Sequence, residues 1–105
     1  MGNDAFKALA HPIRRTIVER LATGEATVGV ATEGLGVSKP VISKHLKVLE
    51  ESGVVARSIH GRTHRLRLEA HVLGEASGWI DRQRDQWERL FDTVEQFLAD
   101  QGDQG

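Results

Sequence analysis

Residues 36–53 restrict the fold more than any other stretch of this chain. Gly36-Val37 reads as a tight turn, Ser38 is a good helix N-cap, and Pro40 falls in the first turn of the helix that follows. That helix is expected to run to about Ser52, where Gly53 stops it. With Ile42 taken as the origin of a helical wheel, Leu46 and Leu49 fall within about 40° of it. Lys39, Ser43, Lys44 and Lys47 fall roughly 60–200° away, on the opposite face. An aliphatic inside and a Ser/Lys outside suit a rod that enters a DNA major groove. A weaker helix over Thr27 to Leu35 precedes it, so helix, glycine turn and helix follow in the helix-turn-helix order. In that arrangement Ser38, Lys39 and Ser43 reach toward base edges, while Lys44 and Lys47 neutralise phosphates. An ordinary solvated amphipathic face has the same pattern, so the helix alone leaves both readings open.

The next segment favours the DNA reading. Val54 to Ile59 and His64 to Leu68 read as short strands joined by His60-Gly61-Arg62-Thr63. His64, Leu66 and Leu68 share one face of the second strand, and Arg65 and Arg67 the other. Arg57, His60, Arg62, His64, Arg65 and Arg67 crowd onto this hairpin. A hairpin directly after such a helix can lie against the adjacent backbone or minor groove, with Arg62 at its tip. Arg65 and Arg67 have a second option, pairing with glutamates of their own chain. The whole chain carries a net charge of -1, but charge is unevenly spread. Residues 37–70 hold seven basic side chains against Glu50, Glu51 and Glu69, a local +4. Residues 71–105 hold Arg82, Arg84 and Arg89 against eight acidic residues, a local -5. Polyanion binding follows local charge, so the total does not argue against it.

The remaining elements supply a frame. Asp4 to Ala10 is expected as a short helix and Pro12 to Leu21 as a second, with Ile13, Ile17, Val18 and Leu21 at helical spacing. Ala70 to about Ala99 is expected as one long helix, with residues 101–105 a disordered tail. Along it Leu73, Ala76, Ile80, Gln83, Trp87, Leu90, Val94 and Phe97 follow a 3-4-3-4 spacing, widened by Trp79, Phe91 and Leu98. One helix of a small domain cannot bury so wide a stripe in its own core. The stripe is therefore expected to pack on a second copy of the chain, through Leu73, Ala76, Trp79, Ile80, Trp87, Leu90, Phe91 and Val94, with Phe6 and Leu9 of the first helix contributing. The tryptophans could instead line a small-molecule pocket at that interface. The expected architecture is mainly α with a small β-hairpin, order α-α-α-α-β-β-α, a single domain over residues 1–100 that dimerises through its first and last helices. At 105 residues such a core is small, which again favours burial by a partner subunit.

Composition removes several classes. There is no cysteine, which excludes disulfides, thiolate metal sites and cysteine nucleophiles and suits a reducing cytoplasm. No apolar run approaches a membrane span, and residues 1–11 lack signal-peptide character. Ser43 and His45 are two apart on a helix and do not face each other. No nucleophile–base order, glycine-rich phosphate loop or zinc-hydrolase motif appears, so an enzyme is not expected.

The stretch LGVSKPVISKHLKVLEESGVV at 35–55, followed by a basic hairpin, closely resembles the winged-helix core of ArsR-type bacterial repressors. FKALAHPIRRTIVERLATG at 6–24 is similar to the first helices of that family. GWIDRQRDQWERLFDTVEQFL at 78–98 resembles a subgroup with two tryptophans in the last helix. The resemblance covers about residues 5–98 and implies a dimeric winged helix-turn-helix that binds a two-fold operator in double-stranded DNA and usually represses transcription. Members that sense metals often carry a cysteine pair on the third helix, where this chain reads VGVATEGLG. Others use Asp/His and His/Glu pairs on the last helix, where this chain has only His71 at the start, with Asp81, Asp85 and Glu88 further on. No metal or cofactor is therefore expected, and the effector is unassigned. His60 and His64 lie in the hairpin and His11 before Pro12. His45 sits at the edge of the core stripe, as a packed residue or a DNA contact. The alternatives are a winged-helix protein-interaction module without DNA binding and a small-molecule- or metal-responsive derepressor.

Overall fold

The computed structural model describes the backbone of residues 2–103 and the side chains of 4–102, and three of its helix starts have a visible local cause. Helix α1 spans Gly2–Ala8 and α2 spans Pro12–Leu21. His11 caps α2, its Nδ1 accepting from the Ile13 amide at 3.1 Å, and Pro12 supplies a preset φ at the first position. Strand β1, Ala26–Thr27, leads directly into α3, Val28–Thr32, which Thr27 caps by accepting from the Val30 amide at 3.2 Å. Helix α4 spans Lys39–Glu51, capped by Ser38, whose Oγ accepts from the Val41 amide at 3.4 Å. Gly53, at φ +79°, turns the chain out of α4 through a conformation that L side chains rarely adopt.

Strands β2, Val55–His60, and β3, Thr63–Leu68, form an antiparallel hairpin with His60 opposite Thr63 and Val55 opposite Leu68. Gly61 and Arg62 alone make the turn, with Gly61 at φ +62°. β1 adds to the free edge of β3, Ala26 opposite Leu66, so the sheet has three strands in the order β1-β3-β2. The expected hairpin is thus part of a larger sheet, and Thr27 is a strand residue rather than the start of a long third helix. The third helix is short because Glu33 is already extended, and Gly34 and Gly36 follow at positive φ.

The core lies between the inner faces of α2, α3 and α4 and the sheet. Ile17, Leu49, Val54 and Leu66 are fully buried, with Leu21, Ala31, Leu46 and Val55 beside them. Ala5 and Ala8 of α1 and Ala76 of the last helix are also buried. Helix α5 spans Ala70–Asp103, 34 residues, so it is about 50 Å long. Its first turns pack on the body through Val72, Leu73 and Ala76, and Trp79 meets the Phe6 ring edge-on at 5.0 Å. From Arg84 to Gly102 every side chain is exposed. The result is an elongated particle of 72 × 29 × 21 Å.

Three further expectations change. Ala76, taken as an interface residue, is only 3% exposed and belongs to the protomer's own core. Leu73 and Leu9 likewise pack partly against that core, because the first turns of α5 lie on the body before the helix leaves it. The helix does not end near Ala99: it continues through Gln101 and Gly102 to Asp103, since an established helix gains one hydrogen bond per added residue and nothing breaks it there. Of the tail expected to be disordered, Gln104 and Gly105 lie outside the described residues.

Candidate nucleic-acid interface

Helix α4 turns Ile42, Leu46 and Leu49 inward, and this leaves Lys39, Ser43, Lys44 and Lys47 exposed. Lys39 and Lys44 make no ion pair among the described residues. Lys47 approaches Glu51 at 3.9 Å, with both side chains more than two-thirds open to solvent (74% and 67%), a pair too screened to hold the ammonium. Ser38 is exposed, but its hydroxyl oxygen already accepts the Val41 amide. Val37 and Val41 flank it at 38% and 37% exposure. These two apolar side chains flank the N-cap of α4, and the sequence pattern gives neither of them an outward role. Their signal was an aliphatic residue off the core stripe.

The hairpin separates its cations sharply. Arg62 stands exposed at the turn and makes no ion pair among the described residues. Arg65 donates from Nε to Glu25 Oε1 at 2.8 Å, and Arg67 Nε lies 3.2 Å from Glu69 Oε1. Both arginines expected on DNA are therefore engaged within the chain, the second option that the sequence left open. Arg57 lies on the other face of β2, opposite the buried Leu66. Its Nε and Nη2 donate to the two carboxylate oxygens of Glu50 at 2.8 and 3.0 Å, and its Nη1 lies 3.0 Å from His64 Nδ1.

His45 is turned toward α2. Its ring centroid lies 4.4 Å from that of His11, and its Nδ1 lies 3.2 Å from Arg14 Nη1. Burial, then the neighbouring His11 and then the Arg14 guanidinium hold its pKa below the ordinary value of 6.5. The arrangement favours a neutral ring that accepts from Arg14, a packing role at the α2–α4 contact rather than an outward contact. Arg14 also donates to Ala8 O at 2.6 Å and Lys7 O at 3.2 Å, so one guanidinium joins the end of α1 to α4. Arg20 does the same for α3, donating to Ala31 O and Glu33 O at 3.2 and 2.7 Å. Neither arginine was assigned a role from sequence, because each acts on backbone carbonyls that only the fold brings near.

A second surface is apolar. Ile80, Trp87, Leu90, Phe91, Val94, Phe97 and Leu98 of α5 are between 37% and 60% exposed, with Trp87 and Phe91 rings 5.9 Å apart. They lie on one stripe that continues the body-packing residues of the same helix. Among the described residues there is no group of three or more His, Asp or Glu side chains placed to hold a metal ion, and no helix long and apolar enough to cross a membrane.

Comparison with known proteins agrees with this geometry. Residues 9–57 match a family model described as a helix-turn-helix domain. The chain is 35% identical over 78 residues to the transcriptional repressor SdpR of Bacillus subtilis, a match spanning 74% of this chain and 87% of the relative. It is 36% identical over 99 residues to the HTH-type transcriptional regulator Rv2034 of Mycobacterium tuberculosis, spanning 94% and 90%. Among solved structures, the crystal structure of an ArsR family transcriptional regulator superposes with a TM-score of 0.74 at 32% identity, covering 82% of this chain and 94% of the other. With its winged helix-turn-helix core and relatives matched over nearly their full length, the chain belongs to the ArsR family of transcriptional regulators.

Proposed function

We propose that this chain is a homodimeric, sequence-specific DNA-binding repressor acting on a two-fold operator. The observation that carries the reading is the separation of the cations. Arg57, Arg65 and Arg67 are held by glutamates of the chain, whereas Lys39 and Lys44 on α4 and Arg62 at the hairpin turn have no ion partner among the described residues. Unpaired cations on an exposed helix face and hairpin tip suit a polyanion, which gains from counterion release without first breaking internal pairs. In the complex α4 enters the major groove. Lys39 and Ser43 face base edges, Lys44 and Lys47 face phosphates, and Val41 is placed to meet a thymine methyl. Arg62 tracks the neighbouring backbone or minor groove.

The α5 stripe from Ile80 to Leu98, with Phe6 and Trp79 at its base, is the dimer face. Two α4 helices related by its axis enter major grooves about 34 Å apart on one side of the duplex. Residues 1–100 act as one binding domain without a catalytic step, in the cytoplasm, and repress by occluding a promoter. Support comes from the relatives, one a named transcriptional repressor and another an HTH-type transcriptional regulator.

The test is duplex binding at low salt, using a sequence selected by the wild-type chain from a random pool. Lys44→Glu with Arg62→Glu should abolish binding and leave dimerisation intact. The single changes Lys44→Gln and Arg62→Gln should each lower the salt slope by about one. Undiminished binding by the double variant would overturn the assignment.

A further inference from the structure

By sequence Arg57 and His64 belong to a basic hairpin, and in the fold they join Glu50 of α4 in a cluster that does something else. Strand side chains alternate, so Arg57 shares the inward face of β2 with Val55 and points away from the outward arginines 65 and 67. Its side chain is more than two-thirds covered, as is that of Glu50 (27% and 29% exposed). Two parallel bonds grip Glu50 in the last turn of α4, and the remaining terminal nitrogen meets His64 on β3. One planar cation thereby joins the groove-reading helix to both strands of the hairpin. A bidentate fork is directional, so it fixes orientation as well as distance.

We propose that Arg57 is a positioning residue for DNA recognition rather than a phosphate contact, and that its pair with Glu50 sets where the Arg62 tip stands relative to α4. The hairpin turn is only two residues long and carries no core side chain of its own, so the placement of Arg62 depends on what anchors the strands below it. The Arg57–Glu50 pair anchors them to the same helix whose outer face reads the bases. Above the core contacts of Val55 and Leu66, register between helix and hairpin tip is then held by this partly buried ion pair.

This inference rests on the DNA-binding reading, and the sign of one substitution separates the two possibilities. Glu50→Gln removes a negative charge close to DNA. If Arg57 simply met phosphate, the change would free the arginine and binding would tighten or stay the same. If Arg57 positions the hairpin, binding weakens by roughly fivefold or more, and Arg57→Gln weakens it similarly. The double variant should then be no worse than the weaker single, since both changes break one link. A further readout is one that stability alone does not move. Glu50→Gln removes no cation, yet its salt slope should fall by about one as Arg62 leaves its phosphate, and hydroxyl-radical protection at the hairpin's contact should fade while that of α4 persists.

Binding is measured on the full dimeric chain with a duplex selected by the wild type, at a temperature where melting curves show every variant folded. Should Glu50→Gln fold poorly, Glu50→Asp keeps the charge and shortens the reach, and the same loss of affinity and of hairpin protection is expected. Wild-type affinity with an unchanged slope in Glu50→Gln or Glu50→Asp overturns the inference. A wild-type chain that binds no duplex overturns the reading beneath it instead.

Discussion

Replacing Trp87 with alanine puts a number on the exposed stripe of α5. Trp87 is 57% exposed in the protomer and touches the core of its own body nowhere, its ring neighbour being Phe91 one turn further on. An aromatic side chain this large buries up to about 250 Å² when fully covered, so on the order of 130 Å² is left for a partner. At about 25 cal/mol per Å² that open half is worth about 3 kcal/mol. A two-fold interface uses the residue twice, which raises the ceiling to about 6 kcal/mol per dimer. The alanine side chain keeps some contact and the interface relaxes, so about 3–5 kcal/mol is a fair expectation. That corresponds to roughly two to three and a half orders of magnitude in the dimer dissociation constant. Sedimentation equilibrium over a concentration series measures it directly. The far-ultraviolet spectrum should remain helical, because the side chain lies outside the core. Operator affinity should fall in step as the half-sites lose their linkage. A dissociation constant within about threefold of wild type would refute the assignment of this stripe to the dimer face, since a surface tryptophan with no partner costs only a few tenths of a kcal/mol to remove.

Other outcomes follow from single sites. Leu49 is fully buried on α4, and Leu49→Ala should cost about 2–5 kcal/mol in urea unfolding; a loss under about 1 kcal/mol would mean that α4 does not seat in this core. Gly53→Ala forces φ +79° on an L residue and brings its Cβ within 3.4 Å of Val72 Cγ2, so the melting midpoint should drop by the equivalent of about 1–2 kcal/mol, and an unchanged midpoint would contradict the left-handed turn. His45 has a folded-state pKa below its unfolded value, so the unfolded chain binds its proton first on acidification. Its contribution is therefore intact above about pH 6.5 and is lost as pH falls through the lower folded value, so stability should decline on that side, and His45→Gln should flatten the decline. A pH profile in which His45→Gln matches wild type would rule that out.

Much of the architecture was legible because its causes are local. Ser38 and Pro40 start α4 where a cap and a first-turn proline act on adjacent amides, and Gly53 and Gly61 mark turns that few other residues adopt. The inward stripe of Ile42, Leu46 and Leu49 follows from helical period alone. The long last helix and its apolar stripe are read the same way. What was missed depends on pairings distant in the chain. β1 is two residues that become a strand only because β3 offers them an edge. Ala76 has the same spacing as the outward stripe, yet it is buried, because the body covers the first turns of α5 and not the later ones.

The candidate site divides along the same line. That Lys39, Ser43, Lys44 and Lys47 share an outward face follows from residue spacing, because a helix repeats every 3.6 residues whatever surrounds it. Which cations of the hairpin remain available does not. Arg65 is paired with Glu25, forty positions earlier, Arg57 with Glu50 across the α4–β2 corner, and His45 is turned inward against His11 and Arg14. Periodicity and capping act between neighbours in the chain, so the sequence alone determined the main helices, the hairpin and the outward face of α4. Charge pairing acts between neighbours in space, so only the tertiary structure decided which basic residues stay free for a ligand.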